Sequence, residues 1–139
     1  MPLAALRSIP TSPARLPRAP GWFVPLIDVT YDSALSEPVL RHLAALLPDV
    51  VAEAVACPEE PWLGSPAPGD IEIRFRAKGP FDVGELNCVV EIRTKLFGSR
   101  VQDKHHRVER IRDTIAAAEP SVGHLGVWLI LAEGSWAQV

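Results

Sequence analysis

The stretch Pro25-Leu26-Ile27-Asp28-Val29-Thr30-Tyr31 opens the part of the chain that has the means to fold. Ile27, Val29 and Tyr31 alternate with Asp28 and Thr30, the period of a strand with one buried face. Upstream the composition differs sharply. Residues 1–24 carry Pro2, Pro10, Pro13, Pro17 and Pro20, the bases Arg7, Arg15 and Arg18 and no acid, and their apolar residues follow neither a helical nor an alternating period. Such a segment buries little surface. It is expected to be disordered or a mis-assigned start, with residues 25–139 forming the domain.

Downstream, Asp32 and Ser33 end the strand, and Ser36-Glu37-Pro38 opens a helix with a proline where the missing N–H does no harm. Val39, Leu40, Leu43, Leu46 and Leu47 follow at helical spacing. Pro48 is expected to kink or split this helix, which resumes as Asp49 to Ala56. The proline- and glycine-rich run from Cys57 to Gly69 is a loop. Ile71-Glu72-Ile73-Arg74-Phe75-Arg76 alternates strictly and is the clearest strand. A turn through Gly79-Pro80 toward Gly84 leads to a third strand, about Asn87 to Phe97. Gly98 then starts a helix in which Ser99 and Gln102 form a capping-box pattern and Val108, Ile111, Ile115 and Ala118 share one face. Leu125 to Ala132 is apolar throughout, so the last strand is expected to be buried with Trp128 in the core.

The order is two β-α-β halves joined by a hairpin, which defines an α+β, βαββαβ subunit. Both helices belong on one face of a four-stranded sheet, because parallel crossovers share one hand. The other face then lies bare, populated by Glu72, Arg74, Arg76, Glu91, Arg93 and Lys95 beside apolar residues, and copies of the chain are expected to close sheet to sheet.

The totals narrow the function classes. The 139 residues are 47% hydrophobic with a net charge of −3, which suits one thin-cored domain and gives no basic field for nucleic acid. Cys57 and Cys88 stand alone without a CxxC partner, so neither a disulfide framework nor a zinc ribbon is suggested and a reducing cytoplasm is the default. No apolar run is long enough to span a membrane, and none is expected to contact one.

From Pro25 to Ala132 the chain resembles the tautomerase superfamily, and within it 5-carboxymethyl-2-hydroxymuconate isomerase most. The resemblance rests on the opening Pro25-Leu26-Ile27-Asp28-Val29, on Pro48 in the first helix region, and on Thr94-Lys95-Leu96-Phe97-Gly98-Ser99-Arg100 at the second strand-to-helix turn. It implies a homotrimer with an isomerase activity of the kind used in aromatic catabolism, on a small enol or dienol carboxylate, with no metal or organic cofactor. It also implies Pro25 as acid/base catalyst and Arg100 as a carboxylate ligand. A free N-terminal proline is a secondary amine, and burial beside cations disfavours its protonated form, which brings its basicity toward neutral pH. Arg74 and Arg76 are the candidates for a second carboxylate contact, because Asp70 and Glu72 occupy the positions where the isomerase places arginines.

In the full chain Pro25 follows Val24, so its nitrogen is an amide without a basic lone pair. The enzyme reading therefore requires a chain that starts at Pro25. A GTG codon at Val24 used as an initiator, followed by methionine removal, would supply one. If residues 1–24 stay, the alternative is a catalytically silent trimeric binding or scaffold protein. A third reading uses the same proline for hydration or dehalogenation. His105-His106 is expected to be exposed rather than a metal site, His42 and His124 have no nucleophile to form a triad, and Trp136 in the tail is expected to pack.

Overall fold

The computed structural model describes residues 25–61, 64–137 and 139, so the expectations for residues 1–24 lie outside it. The elements are β1 (Leu26–Tyr31), α1 (Glu37–Val55), β2 (Glu72–Ala77), β3 (Cys88–Lys95), α2 (Gly98–Gln102), α3 (Lys104–Ala118), a 3-10 turn at Pro120–Val122 and β4 (Leu125–Ala132). The expected βαββαβ order is present, with a short extra turn of helix ahead of the second long one. The strands form one sheet in the order β2-β1-β3-β4. β1 runs parallel to β2 and antiparallel to β3, and β3 runs parallel to β4.

Strand alternation sorts the side chains onto two faces. Ile27, Val29, Val90 and Ile92 turn to the helices and are buried against Leu43, Leu47 and Val51 of α1 and Ile111 and Ile115 of α3. The opposite face carries the charged residues, and register brings them into rows: Arg74, Asp28, Glu91 and Trp128 lie across the sheet in one, and Glu72, Leu26, Arg93 and Ile130 in the next.

Four expectations are corrected. The two halves are not joined by a hairpin, because β1 lies between β2 and β3. The connecting segment instead crosses the end of β1, tied there by Lys78 N–H to Tyr31 O at 2.7 Å and Asp32 N–H to Asn87 O at 3.0 Å. Pro48 does not split the first helix, which is continuous from Glu37 to Val55. A proline removes one helical hydrogen bond, but buried Leu43 and Leu47 before it and Val51, Ala54 and Val55 after it anchor both sides to the sheet. Ser99 and Gln102 form no capping box: Ser99 is the second residue of α2, and its hydroxyl donates to Glu59 at 2.8 Å. Finally, β4 is an edge strand in which Leu129 is the buried residue, and Trp128 is 65% exposed on the open face rather than in the core. An all-apolar run cannot reveal which of its faces the helices cover.

A close approach sets the turn into β4. Gly123 has φ +66°, and a Cβ there would stand 2.5 Å from Asn87 Oδ1. Asn87 cannot swing aside freely, since its amide donates to Asp32 at 2.8 Å and its oxygen accepts from His124 N–H at 2.9 Å. Gly123→Ala is expected to lower stability by about 2 kcal/mol, from the left-handed backbone and a lost hydrogen bond. Urea denaturation checks this, and the loss should shrink when Asn87→Ala is made as well.

Candidate active site

Pro25 is half-buried immediately ahead of β1, a central strand. At this end of the sheet β1 and β2 begin while β3 and β4 finish. Continuing the β1–β3 register by one residue from Leu26 opposite Arg93 puts Pro25 level with Thr94. The C-terminus of α1, the Cys57–Glu60 turn and the start of α2 gather at the same end.

Arg100 is also there, but it faces inward. It is 2% exposed. Its Nε donates to Val55 O at 2.6 Å, one terminal nitrogen donates to Lys95 O at 2.9 Å and to Thr94 Oγ1 at 3.3 Å, and the other pairs with Glu60 at 2.9 Å. The reason lies in α1. Its last turn holds no basic residue and is followed by Ala56-Cys57-Pro58, without the glycine or asparagine that commonly satisfies the final carbonyls. Arginines from the second half supply the donors instead: Arg100 to Val55, and Arg107 to Ala54 at 2.9 Å and Ala56 at 2.7 Å.

Two neighbouring carboxylates complete this clasp. Glu60 pairs with Arg100, and Glu59 accepts from Ser99. The Ser99 hydroxyl, and next Cys57, hold the Glu59 carboxyl below its ordinary range. Cys57 and Glu60 also bond to each other through their backbones at 3.0 and 3.1 Å, which closes the turn. The sequence pattern does not single out Glu59, Glu60 or Arg107. The signal for them is the missing C-terminal cap of α1, which requires donors from elsewhere in the chain.

Arg74 and Arg76 lie elsewhere. Both are on the open face of β2, beside Asp28 and Thr30, and line a depression of about 460 Å³ shared with Glu91 and Arg93. At the rise of a strand, Asp28 stands about 10 Å and Thr30 about 16 Å from Pro25 along β1. Arg93 is closer, opposite Leu26, but is engaged by Asp28 at 2.7 Å and Glu91 at 3.3 Å. The structure thus brings Pro25 and Arg100 to one end of the sheet and sets Arg74 and Arg76 apart from them within a single chain.

The other reactive side chains are accounted for locally. Burial, with the Asp32 charge, pushes the Cys88 thiol up to about 11, so it is not a nucleophile at neutral pH. His42 pairs with Glu119 at 2.8 Å, linking α1 to the end of α3. His105 has a carboxylate one turn on, Glu109 at 3.6 Å, a pairing that the i, i+4 spacing already allows. Among the described residues no group of three or more His, Cys, Asp or Glu is placed to hold a metal. No helix of the described chain is long and apolar enough to cross a membrane.

No family model and no curated protein matches the chain. Solved structures do. A fused 4-OT, the F6 wild-type asymmetric trimer, aligns with a TM-score of 0.57 at 13% identity, over 81% of this chain and 91% of its own. The macrophage migration inhibitory factor-like protein of Entamoeba histolytica aligns with a TM-score of 0.54 at 10% identity, over 83% of this chain and 95% of its own. N1, a member of the cis-3-chloroacrylic acid dehalogenase family, gives a TM-score of 0.52 at 13% identity, over 78% of this chain and 76% of its own. At these identities the likeness is one of fold: this chain shares the βαββαβ fold of these solved structures.

Proposed function

We propose that the chain, when it begins at Pro25, is a cofactor-free tautomerase that moves a proton within a small enol or dienol carboxylate, in the manner of 5-carboxymethyl-2-hydroxymuconate isomerase. The observation that carries the reading is the place of Pro25: half-buried, at the head of a central strand, at the end of the sheet where the second half contributes its strand-to-helix turn. With its nitrogen free, Pro25 takes a proton from the substrate as a base and returns it along the conjugated system as the conjugate acid. Arg100 supports this end of the sheet from beneath in this reading. It holds the α1 terminus and the Glu60 turn, and a carboxylate reaches it only by displacing Glu60.

The reading includes a homotrimer. The open sheet face exposes Trp128 and carries Leu26 and Ile130 in the neighbouring row, apolar surface that a facing copy would cover. Three of the fused 4-OT structures of this fold are themselves trimers. Arg74 and Arg76 contribute to substrate binding from a neighbouring copy, since within one chain they stand too far up the strand. The Val24–Pro25 amide of the full chain favours a second reading, a catalytically silent trimer with the same fold.

The two readings separate on the N-terminus. Intact mass and N-terminal sequencing of the protein made from its own gene should find Pro25 first. Side by side, a chain starting at Pro25 should ketonise 2-hydroxymuconate while one starting at Met1 should not. Equal rates from the two would remove the proline from the mechanism.

A further inference from the structure

We infer that Lys95 is the residue of this chain that receives the substrate carboxylate, an inference that rests on the tautomerase reading and names a residue for its specificity. Position comes first. Lys95 closes β3 opposite Ala132, on the open-face side of the strand with Arg93 and Glu91. Since Pro25 is level with Thr94, Lys95 is the next residue along, and adjacent strands run about 5 Å apart. The Pro25 nitrogen belongs to the backbone and lies in the sheet plane, within reach of a ligand held at the end of that face.

Charge partners then distinguish Lys95 from the other cations. Arg100 is buried and spends its donors on Val55, Thr94, Lys95 O and Glu60. Arg93 is held by Asp28 and Glu91, and Arg107 caps α1 and pairs with Asp103. Arg74 leans toward Glu72 at 3.7 Å, and Arg76 stands about 16 Å up the strand. Lys95 pairs with no carboxylate among the described residues. Its ammonium rests over the Phe97 ring, 5.5 Å from the centroid, and the Arg100 guanidinium lies 5.2 Å from the same ring. An aromatic face attracts an ammonium without occupying its N–H donors as a carboxylate does, so all three remain available to an arriving anion. Phe97 and the aliphatic stem of Lys95 also offer an apolar wall beside that charge, which suits a conjugated carboxylate better than an inorganic anion.

The probe is muconate, a conjugated dicarboxylate with no enol to ketonise, titrated calorimetrically into protein beginning at Pro25 and into the full chain. The buried core of the described residues is drawn from Ile27 onward, so the shorter protein retains all of it. Lys95→Met is expected to weaken muconate binding by ~10-fold or more, and Lys95→Arg to keep it within ~3-fold of the parent. In turnover of phenylenolpyruvate, Lys95→Met should raise KM by ~10-fold with kcat little changed, and should leave the methyl ester of that substrate unaffected. Lys95 is half-exposed at a strand end, so the variants should melt with the parent. A parent that does not bind muconate, a Lys95→Met variant that binds it as tightly as the parent, or a Lys95→Arg variant as poor as Lys95→Met would overturn the assignment. Pro25→Ala separates the two claims: if it leaves kcat unchanged, the proline mechanism falls, while the muconate titration still decides the role of Lys95.

Discussion

Pro25→Ala, made in a chain that starts at residue 25, is expected to lower the rate of 2-hydroxymuconate ketonisation by ~100-fold or more, the usual contribution of one positioned acid/base group. The loss should fall short of complete inactivation. An N-terminal alanine still presents an amine, but a primary one on a backbone that the pyrrolidine ring no longer holds, so both its basicity and its aim change. Most of the effect should appear in kcat, because the proline acts on the proton in transit rather than on the resting substrate. Ultraviolet absorbance of the dienol, followed in both proteins at matched concentration, gives the comparison. Unchanged kcat would exclude Pro25 as the base, whereas a parent starting at Pro25 that shows no turnover at all would give precedence to the silent-trimer reading.

Arg100→Ala is expected to destabilise the fold more than Gly123→Ala or Lys95→Met, lowering the free energy of unfolding by roughly 3–5 kcal/mol, the range for removing one partner of a buried ion pair. The side chain is 2% exposed, and its loss leaves Glu60, itself 12% exposed, without its cation and the Val55 and Lys95 carbonyls without donors. Arg100→Lys should recover only part of this, because an ammonium cannot present the planar fork that reaches Val55, Thr94, Lys95 and Glu60 at once. Guanidinium denaturation of parent, Arg100→Ala and Arg100→Lys tests the order. If Arg100→Ala instead unfolds at the parent's midpoint and shows only a raised KM for carboxylate substrates, Arg100 is a substrate ligand rather than the tie that closes α1.

These two residues show how far sequence alone reaches at the candidate site. Pro25 is identifiable because the boundary at Val24 is abrupt and local: proline-rich, aperiodic chain gives way to alternating Ile27, Val29 and Tyr31. The position of Arg100 at the start of a helix is equally visible in the Gly98-Ser99-Arg100 turn. Its partners are not, because Val55, Glu60 and Thr94 come from three segments whose meeting depends on how the halves pack. Lys95 is one charge among six on an alternating face until its neighbours are found to be engaged.

By itself the sequence determined the four strands, the two long helices and their order, the loop character of residues 57–61 and 64–69, and which residues of each strand share a face. These follow from side-chain period and from glycine and proline, which act within a few residues. The tertiary structure alone decided that β1 lies between β2 and β3, that α1 runs unbroken through Pro48, that Trp128 stands on the open face of an edge strand, and that Arg100 turns inward while Lys95 meets an aromatic ring instead of a carboxylate. All but the Lys95–Phe97 contact, which lies two residues apart, depend on contacts between segments far apart in the chain. There the burial of a shared core and the satisfaction of stranded carbonyls outweigh what any one segment prefers on its own.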